Sequence, residues 1–172
     1  MKDNYVIEAE GLTKCFGAFT ATDHITFKVK EGEIFGFLGA NGAGKTTAMR
    51  MLCGLSRPSD GRATVAGFDV YTQAEEVKRH IGYMSQKFSL YDDLTVFENL
   101  KLFGGIYGMD VRTISDKSDR ILGELGLLPE RDVRVASLPL GWKQKLAFTL
   151  SIFHEPRIVF LDEPTGGVDP VT

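Results

Sequence analysis

The chain has 172 residues, 43% of them hydrophobic and 25% charged, and 20 Lys and Arg against 23 Asp and Glu leave a formal charge of −3. That length supports one compact domain with a sizeable core, and the composition excludes disorder, a collagen-like fibre and a disulfide scaffold. The mild negative charge offers no global footprint for nucleic acid, so no nucleic-acid partner is expected, although local basic patches stay open. No apolar run approaches the roughly 20 residues that span a bilayer. No secretory signal follows Met1-Lys2-Asp3-Asn4-Tyr5. Cys15 and Cys53 have no paired metal spacing and read as two reduced cysteines of a cytosolic protein.

Tyr5–Glu10 and His24–Val29 read as strands; in the second, Ile25, Phe27 and Val29 alternate with polar residues, which suits a half-buried antiparallel strand. Glu33–Leu38 is nearly all apolar and reads as a strand buried on both faces. A Gly-rich turn and a helix over Gly44–Leu55 follow, closed by Pro58 and Gly61. Arg62–Val65 and Ile81–Met84 are further short strands, separated by a charged helix over Ala74–His80. Thr95-Val96-Phe97-Glu98 is a capping box that opens an amphipathic helix. Ile114, Ile121, Leu122 and Leu125 keep helical spacing in the next. Gly141–His154 reads as another helix, and Arg157–Leu161 as a second fully buried strand ending in Asp162-Glu163-Pro164. The fold expected is α/β, a core with a mostly parallel sheet, an antiparallel β edge and a helical subdomain. Residues 1–86 and 138–172 form the expected core and residues 87–137 the helical part. The abrupt ending at Val168-Asp169-Pro170-Val171-Thr172 suggests that the natural polypeptide continues.

Two segments carry chemistry. Gly39-Ala40-Asn41-Gly42-Ala43-Gly44-Lys45-Thr46 matches the P-loop pattern, Gly, four residues, Gly-Lys-Thr, between a strand and a helix start, so the expected core is that of a P-loop NTPase. Triphosphate is anionic, and a helix amino terminus offers unpaired N–H groups at the positive end of its dipole. Gly39, Gly42 and Gly44 let the backbone wrap closely around phosphate. Lys45 is expected to reach the β- and γ-phosphates of ATP, and the Thr46 hydroxyl to ligate Mg²⁺. Asp162 and Glu163 follow four apolar residues at the carboxyl end of a strand, where ligands of parallel α/β folds bind. Asp162 suits Mg²⁺, through its water shell, and Glu163 suits general-base work on the attacking water. A strand merely capped by acidic turn residues is the plainer alternative.

Taken together, these motifs resemble the nucleotide-binding domain of ATP-binding cassette (ABC) transporters. The glycine loop corresponds to the family's Walker A and Ile158–Glu163 to its Walker B. Gln86, in Tyr83-Met84-Ser85-Gln86, looks like the glutamine that touches Mg²⁺ or the attacking water and couples the helical insert to nucleotide. Phe16 matches the aromatic that stacks on adenine, although core packing suits it too. Gly167-Val168-Asp169 resembles the D-loop, which crosses to a partner subunit. The resemblance thus implies catalysis by Glu163, Gln86 and Lys45. It implies nucleotide contacts at Phe16, Gly39, Asn41, Gly42, Ala43, Gly44, Lys45, Thr46, Thr47 and Gly141, and metal contacts at Thr46, Gln86 and Asp162. It further implies a transmembrane permease subunit, a second ABC ATPase domain in a homo- or heterodimer, and a peripheral place on the cytoplasmic face of the bacterial inner membrane. The short helical insert speaks for transporters, and Ile81–Leu100 looks most like ABC-2-type exporters. Phe88–Glu98 is the expected permease contact.

One departure matters. The family's Leu-Ser-Gly-Gly-Gln signature reads Leu138-Pro139-Leu140-Gly141-Trp142 here. Pro139 has neither a hydroxyl nor a backbone N–H to donate, while Gly141 and the helix start remain. The segment suits either a variant that still works or a degenerate cassette that is mainly regulatory. The family's switch histidine lies beyond the last residue, so weak turnover is expected of the chain as given. A soluble ABC ATPase acting on ribosomes or DNA is the remaining alternative, without the tandem cassettes, long arms or basic surfaces usual there.

Overall fold

The computed structural model describes residues 4–40, 42–87 and 89–164. The chain divides into two compact units, Met1–Ile81 and Gly82–Thr172.

The first unit is built on an antiparallel sheet. Strands β1 (Tyr5–Phe16) and β2 (Phe19–Lys30) form a hairpin, β3 (Asp60–Val65) pairs on the other side of β1, and β4 (Phe68–Asp69) adds to β3, giving the order β2-β1-β3-β4. Both hairpin strands are longer than their apolar alternation predicts. The β1–β2 register shifts four times, and each shift breaks the period of two that a sequence reading follows. Ile7, Ala9, Leu12, Val29, Ala63 and Val65 from the sheet are buried, as are Ala48, Met51 and Leu52 from helix α1 (Lys45–Leu52). Cys53 is fully buried just after α1, as a small apolar residue, and Cys15 is exposed. Helix α2 (Ala74–His80) has its predicted bounds; Val77 faces inward, and Glu75–Lys78 and Glu76–Arg79 pair on its solvated face.

The predicted strand at Glu33–Leu38 is not formed. Residues 33–40 have no regular structure, and Ile34 and Leu38 are almost wholly exposed. Apolar character marks a segment for burial but does not supply a ladder partner. Among the described residues no strand pairs with this one. It is held instead by a ring cluster, with Phe35 stacked on Phe27 at 4.9 Å and Phe37 edge-on to both at 5.3 Å.

The second unit joins a parallel pair, β5 (Ile81–Met84) and β6 (Ile158–Leu161), to helices α3 (Val96–Ile106), α4 (Val111–Leu125) and α5 (Leu140–Ile152). In β6 only Ile158 and Phe160 are buried while Val159 is exposed, so it buries one face rather than the two its composition predicts. The capping box at α3 forms as its sequence predicts: Thr95 Oγ1 accepts from the Glu98 N–H at 3.1 Å, and Glu98 Oε2 accepts from the Thr95 N–H at 2.8 Å. Asp110 caps α4 through the N–H groups of Arg112 and Thr113, and Gly126 closes it in the left-handed region. Leu100, Ile114, Leu122, Leu127, Leu146 and Phe153 form the centre of one core, each fully buried large side chain contributing about 1.5–3 kcal/mol. Among the described residues no helix is long and apolar enough to cross a membrane.

Candidate functional site

In the first unit the glycine loop runs into α1 at Gly44, whose φ of 81° is left-handed. A Cβ there would lie 1.9 Å from the Ala21 carbonyl oxygen of β2, so only glycine fits. Thr22, buried beside it, donates its hydroxyl to the Gly44 carbonyl at 3.4 Å. No side chain caps α1, and its first turn holds no acid. Backbone N–H groups at a helix start without a side-chain cap are a general attractor of anions. Lys45 Nζ donates to the carbonyls of Gly39 at 2.6 Å and Ala40 at 2.9 Å. The ammonium thus lies against the loop itself, where an incoming phosphate oxygen can replace a carbonyl. Ala43, Thr46 and Thr47 share this turn; Asn41 lies outside the described residues.

In the second unit β5 and β6 deliver a polar trio. The Asp162 N–H donates to the Met84 carbonyl at 2.9 Å, which holds the acidic end of β6 beside the end of β5. Asp162 is buried. Gln86, two residues past β5, donates Nε2 to Glu163 Oε2 at 2.7 Å. Glu163 has a φ of 51°, a conformation that costs an L-residue about 1–2 kcal/mol. Strain of this kind persists where the surroundings over-determine a side chain's direction. With its amide nitrogen committed to Glu163, Gln86 keeps a carbonyl oxygen for a cation. Hydroxyl, carboxylate and amide oxygens are the hard ligands that Mg²⁺ takes. No group of three or more His, Cys, Asp or Glu able to hold a metal occurs among the described residues.

Helix α5 begins at Leu140, directly after Pro139. The Pro139 carbonyl accepts from the N–H groups of Trp142 at 3.0 Å and Lys143 at 3.1 Å, and no side chain caps the helix. Leu140 and Gly141 are exposed, and a Cβ on Gly141 would meet nothing within 4 Å. Trp142 is half-buried against the helical core and carries Lys145 Nζ 4.6 Å from its ring. Phe16 is 57% exposed at the tip of the β1–β2 hairpin, with Lys14 Nζ 5.2 Å from its ring; it is not core. The D-loop residues Gly167, Val168 and Asp169, and Phe88 of the expected permease contact, lie outside the described residues.

Two features escape a sequence reading. Asn99 is fully buried in α3 and brackets Tyr91, accepting from its N–H at 2.9 Å and donating to its carbonyl at 3.0 Å and to that of Thr95 at 2.9 Å. A polar residue one position before Leu100 on an apolar helix face is the signal that could have flagged it. The second is an ion pair between Asp92 and Lys143 at 3.0 Å, for which sequence carries no signal.

A glycine-opened helix bearing Lys-Thr, together with an acidic pair at the carboxyl end of a strand in a parallel pair, defines the P-loop class of α/β folds. The profile of the ABC transporter family matches residues 22–166. The chain is 53% identical over 167 residues to the probable multidrug ABC transporter ATP-binding protein YbhF of Escherichia coli K12, covering 97% of this chain and 29% of that one. It is 38% identical over 166 residues to the bacitracin transport ATP-binding protein BcrA of Bacillus licheniformis, covering 96% and 53%. A solved chain described as the ATP binding subunit of an ABC transporter superposes with a TM-score of 0.85 at 29% identity, covering 96% of this chain and 69% of that one. The chain belongs to the ABC transporter family. It spans less than a third of one of the curated relatives named here and about half of the other.

Proposed function

We propose that the chain is the ATP-binding and ATP-hydrolysing cassette of an ABC-2-type exporter, powering a separate transmembrane permease from the cytoplasmic face of the bacterial inner membrane. The observation that carries this is the α1 start: a glycine-only turn, an uncapped helix end, and the Lys45 ammonium 2.6 and 2.9 Å from loop carbonyls. Such a start is built to exchange those carbonyls for phosphate oxygens. Relatives named for multidrug, bacitracin and daunorubicin transport or resistance favour the export branch.

In this reading Gly39, Asn41, Gly42, Ala43 and Gly44 wrap the phosphates and Lys45 neutralises them, with Thr46 and Thr47 at the start of α1. Phe16, exposed on its hairpin, offers a ring face to adenine. Thr46 on the first unit, and Asp162 and Gln86 on the second, carry the oxygens that would ligate Mg²⁺, which when bound would supply charge to offset that of the phosphates. Glu163 accepts a proton from water as the water oxygen bonds to the γ-phosphorus; the bond from that phosphorus to the β,γ-bridging oxygen breaks, and ADP and phosphate leave. Gln86 fixes the direction of the Glu163 carboxylate through its 2.7 Å hydrogen bond. Residues 1–86 with 138–172 act as the ATP-binding part and 87–137 as the helical part. The turn around Tyr91, which is 53% exposed, meets the permease. A second cassette completes the site by presenting Leu140 and Gly141 at the open start of its α5.

Pro139 favours a second reading, a regulatory cassette that binds ATP without turning it over. ATPase rate against protein concentration, in the full-length protein, tests both. Specific activity that rises with concentration supports a working homodimer. A flat, near-zero rate with Mg-ATP binding intact supports the regulatory reading, and absence of ATP binding overturns both.

A further inference from the structure

The start of α5 is tied to a distant turn. Tyr91–Leu94 is closed by the Leu94 N–H on the Tyr91 carbonyl at 3.1 Å, and Asn99 brackets the Tyr91 backbone from below. The Ala136 N–H donates to the Asp92 carbonyl and the Val135 N–H to the Leu94 carbonyl, both at 3.0 Å. Thr95 and Arg134 form an antiparallel bridge. The strap 133–137 therefore lies along this turn, and it leads straight into Pro139 and α5. Across the end of the strap, Lys143 Nζ meets Asp92 Oδ1 at 3.0 Å. Lys143 is the fourth residue of α5, in a first turn that holds no acid. A cation there opposes the helix dipole, so α5 gains little from Lys143 by itself. The lysine side chain is nonetheless 79% covered and aimed at Asp92.

We infer that Asp92 and Lys143 are positioning residues: their ion pair makes the turn after Gln86 and the Leu140–Gly141 helix start move as one piece during the nucleotide cycle. This rests on the proposed ATPase function. Neither residue contacts the reacting atoms. The pair sets where α5 presents its open N–H groups when the Tyr91 turn is displaced. Coupling between segments is a free energy measurable by a mutant cycle, and a pair with one partner largely exposed sits at the weak end of that range.

The test uses the full-length protein with its permease. Asp92→Lys and Lys143→Asp are each expected to lower ATPase kcat about fivefold, with KM for ATP within about twofold and an unchanged melting temperature. The charge-swapped double variant is expected to regain most of the lost rate. A merely structural pair would move the melting temperature and not kcat at saturating ATP. Single variants with wild-type kcat, or a double variant no faster than the slower single, overturn the inference. Where charge reversal prevents folding, Lys143→Met reads the same kcat loss without repulsion. ATP binding by the unaltered protein is measured alongside. Its absence overturns the ATPase reading and this inference together, whereas normal binding and turnover with unaffected variants overturns the inference alone.

Discussion

Gly42 and Gly44 share a left-handed backbone, with φ of 83° and 81°, yet their surroundings differ. Alanine at either position meets the left-handed penalty of about 1–2 kcal/mol, partly offset by about 0.4–1 kcal/mol from a less flexible unfolded chain. A Cβ at Gly42 meets nothing within 4 Å, so Gly42→Ala should cost only about 0–1.6 kcal/mol net. At Gly44 the same Cβ lies 1.9 Å from the Ala21 oxygen and 3.0 Å from the Ala21 carbonyl carbon and Thr22 Oγ1. Backbone on both sides must part, which adds about 1–3 kcal/mol of overpacking. Gly44→Ala should therefore be destabilised by about 1–3 kcal/mol more than Gly42→Ala. Cys53 gives a local probe, because it is fully buried at the end of α1 and becomes reactive only when this unit opens. In a Cys15→Ser background, pulsed thiol labelling across a urea series reads the opening free energy of each variant. Equal losses for the two glycines would refute the argument that β2 props the phosphate loop.

Glu163→Gln keeps the size of the side chain and removes the base; ATP binding should persist while hydrolysis falls about 10²–10⁴-fold, and a single-turnover rate within tenfold of the original rejects Glu163 as the base. Asn99→Leu leaves the Tyr91 N–H without its partner, while the Tyr91 carbonyl keeps the Leu94 N–H, and should cost about 1–3 kcal/mol, read by urea unfolding through Trp142 fluorescence; a loss below about 0.5 kcal/mol counts against the bracket. The Asp110 carboxyl is held below its ordinary 3.8, first by the Thr113 hydroxyl and then by the Thr113 and Arg112 N–H groups. A depressed folded value contributes stability that is present above 3.8 and is lost as pH falls through that lower value. The urea midpoints of the native chain and of Asp110→Ala should then differ by a constant amount from neutral pH down to about 5, and converge below 3.8; a gap that stays constant into acid contradicts this.

What was legible in the sequence is what is local. Thr95 and Glu98 stand three residues apart because a helix start needs two reciprocal hydrogen bonds there, and both form. Helix α2 ends where its charged run ends. The glycine loop announced itself because wrapping a backbone around phosphate requires glycine at fixed offsets, and Gly44 proves sterically irreplaceable. What failed needed distant partners. Glu33–Leu38 has a strand's composition, but composition does not choose a neighbour, and Ile34 and Leu38 stand in the open. Val159 reads as buried by its neighbours in sequence and is exposed by its neighbours in space. Asn99 differs, since its partners Tyr91 and Thr95 lie within eight positions and its polarity on an apolar helix face is the overlooked signal; the pairing of residues 92 and 143, 51 positions apart, depends on how the strap and α5 pack, which no window of the sequence contains.

The unusual Leu138–Trp142 segment shows how backbone geometry can stand in for a missing side chain. A serine at the helix start would offer a hydroxyl; Pro139 offers none, and its φ of −57° and ψ of 152° instead fix the chain at the turn into α5. Its carbonyl closes the first turn with Trp142 and Lys143, while no side chain occupies the helix end. An Asp or Asn at that position would cap the first N–H groups itself and compete with an incoming anion. Proline cannot. Leu140 and Gly141 stay exposed on the outer side of the turn while Trp142 anchors the inner side to the core. Relative to serine, proline therefore removes two hydrogen-bond donors, the hydroxyl and the backbone N–H, yet leaves the start of α5 without a side-chain cap, the feature that the proposed function assigns to phosphate.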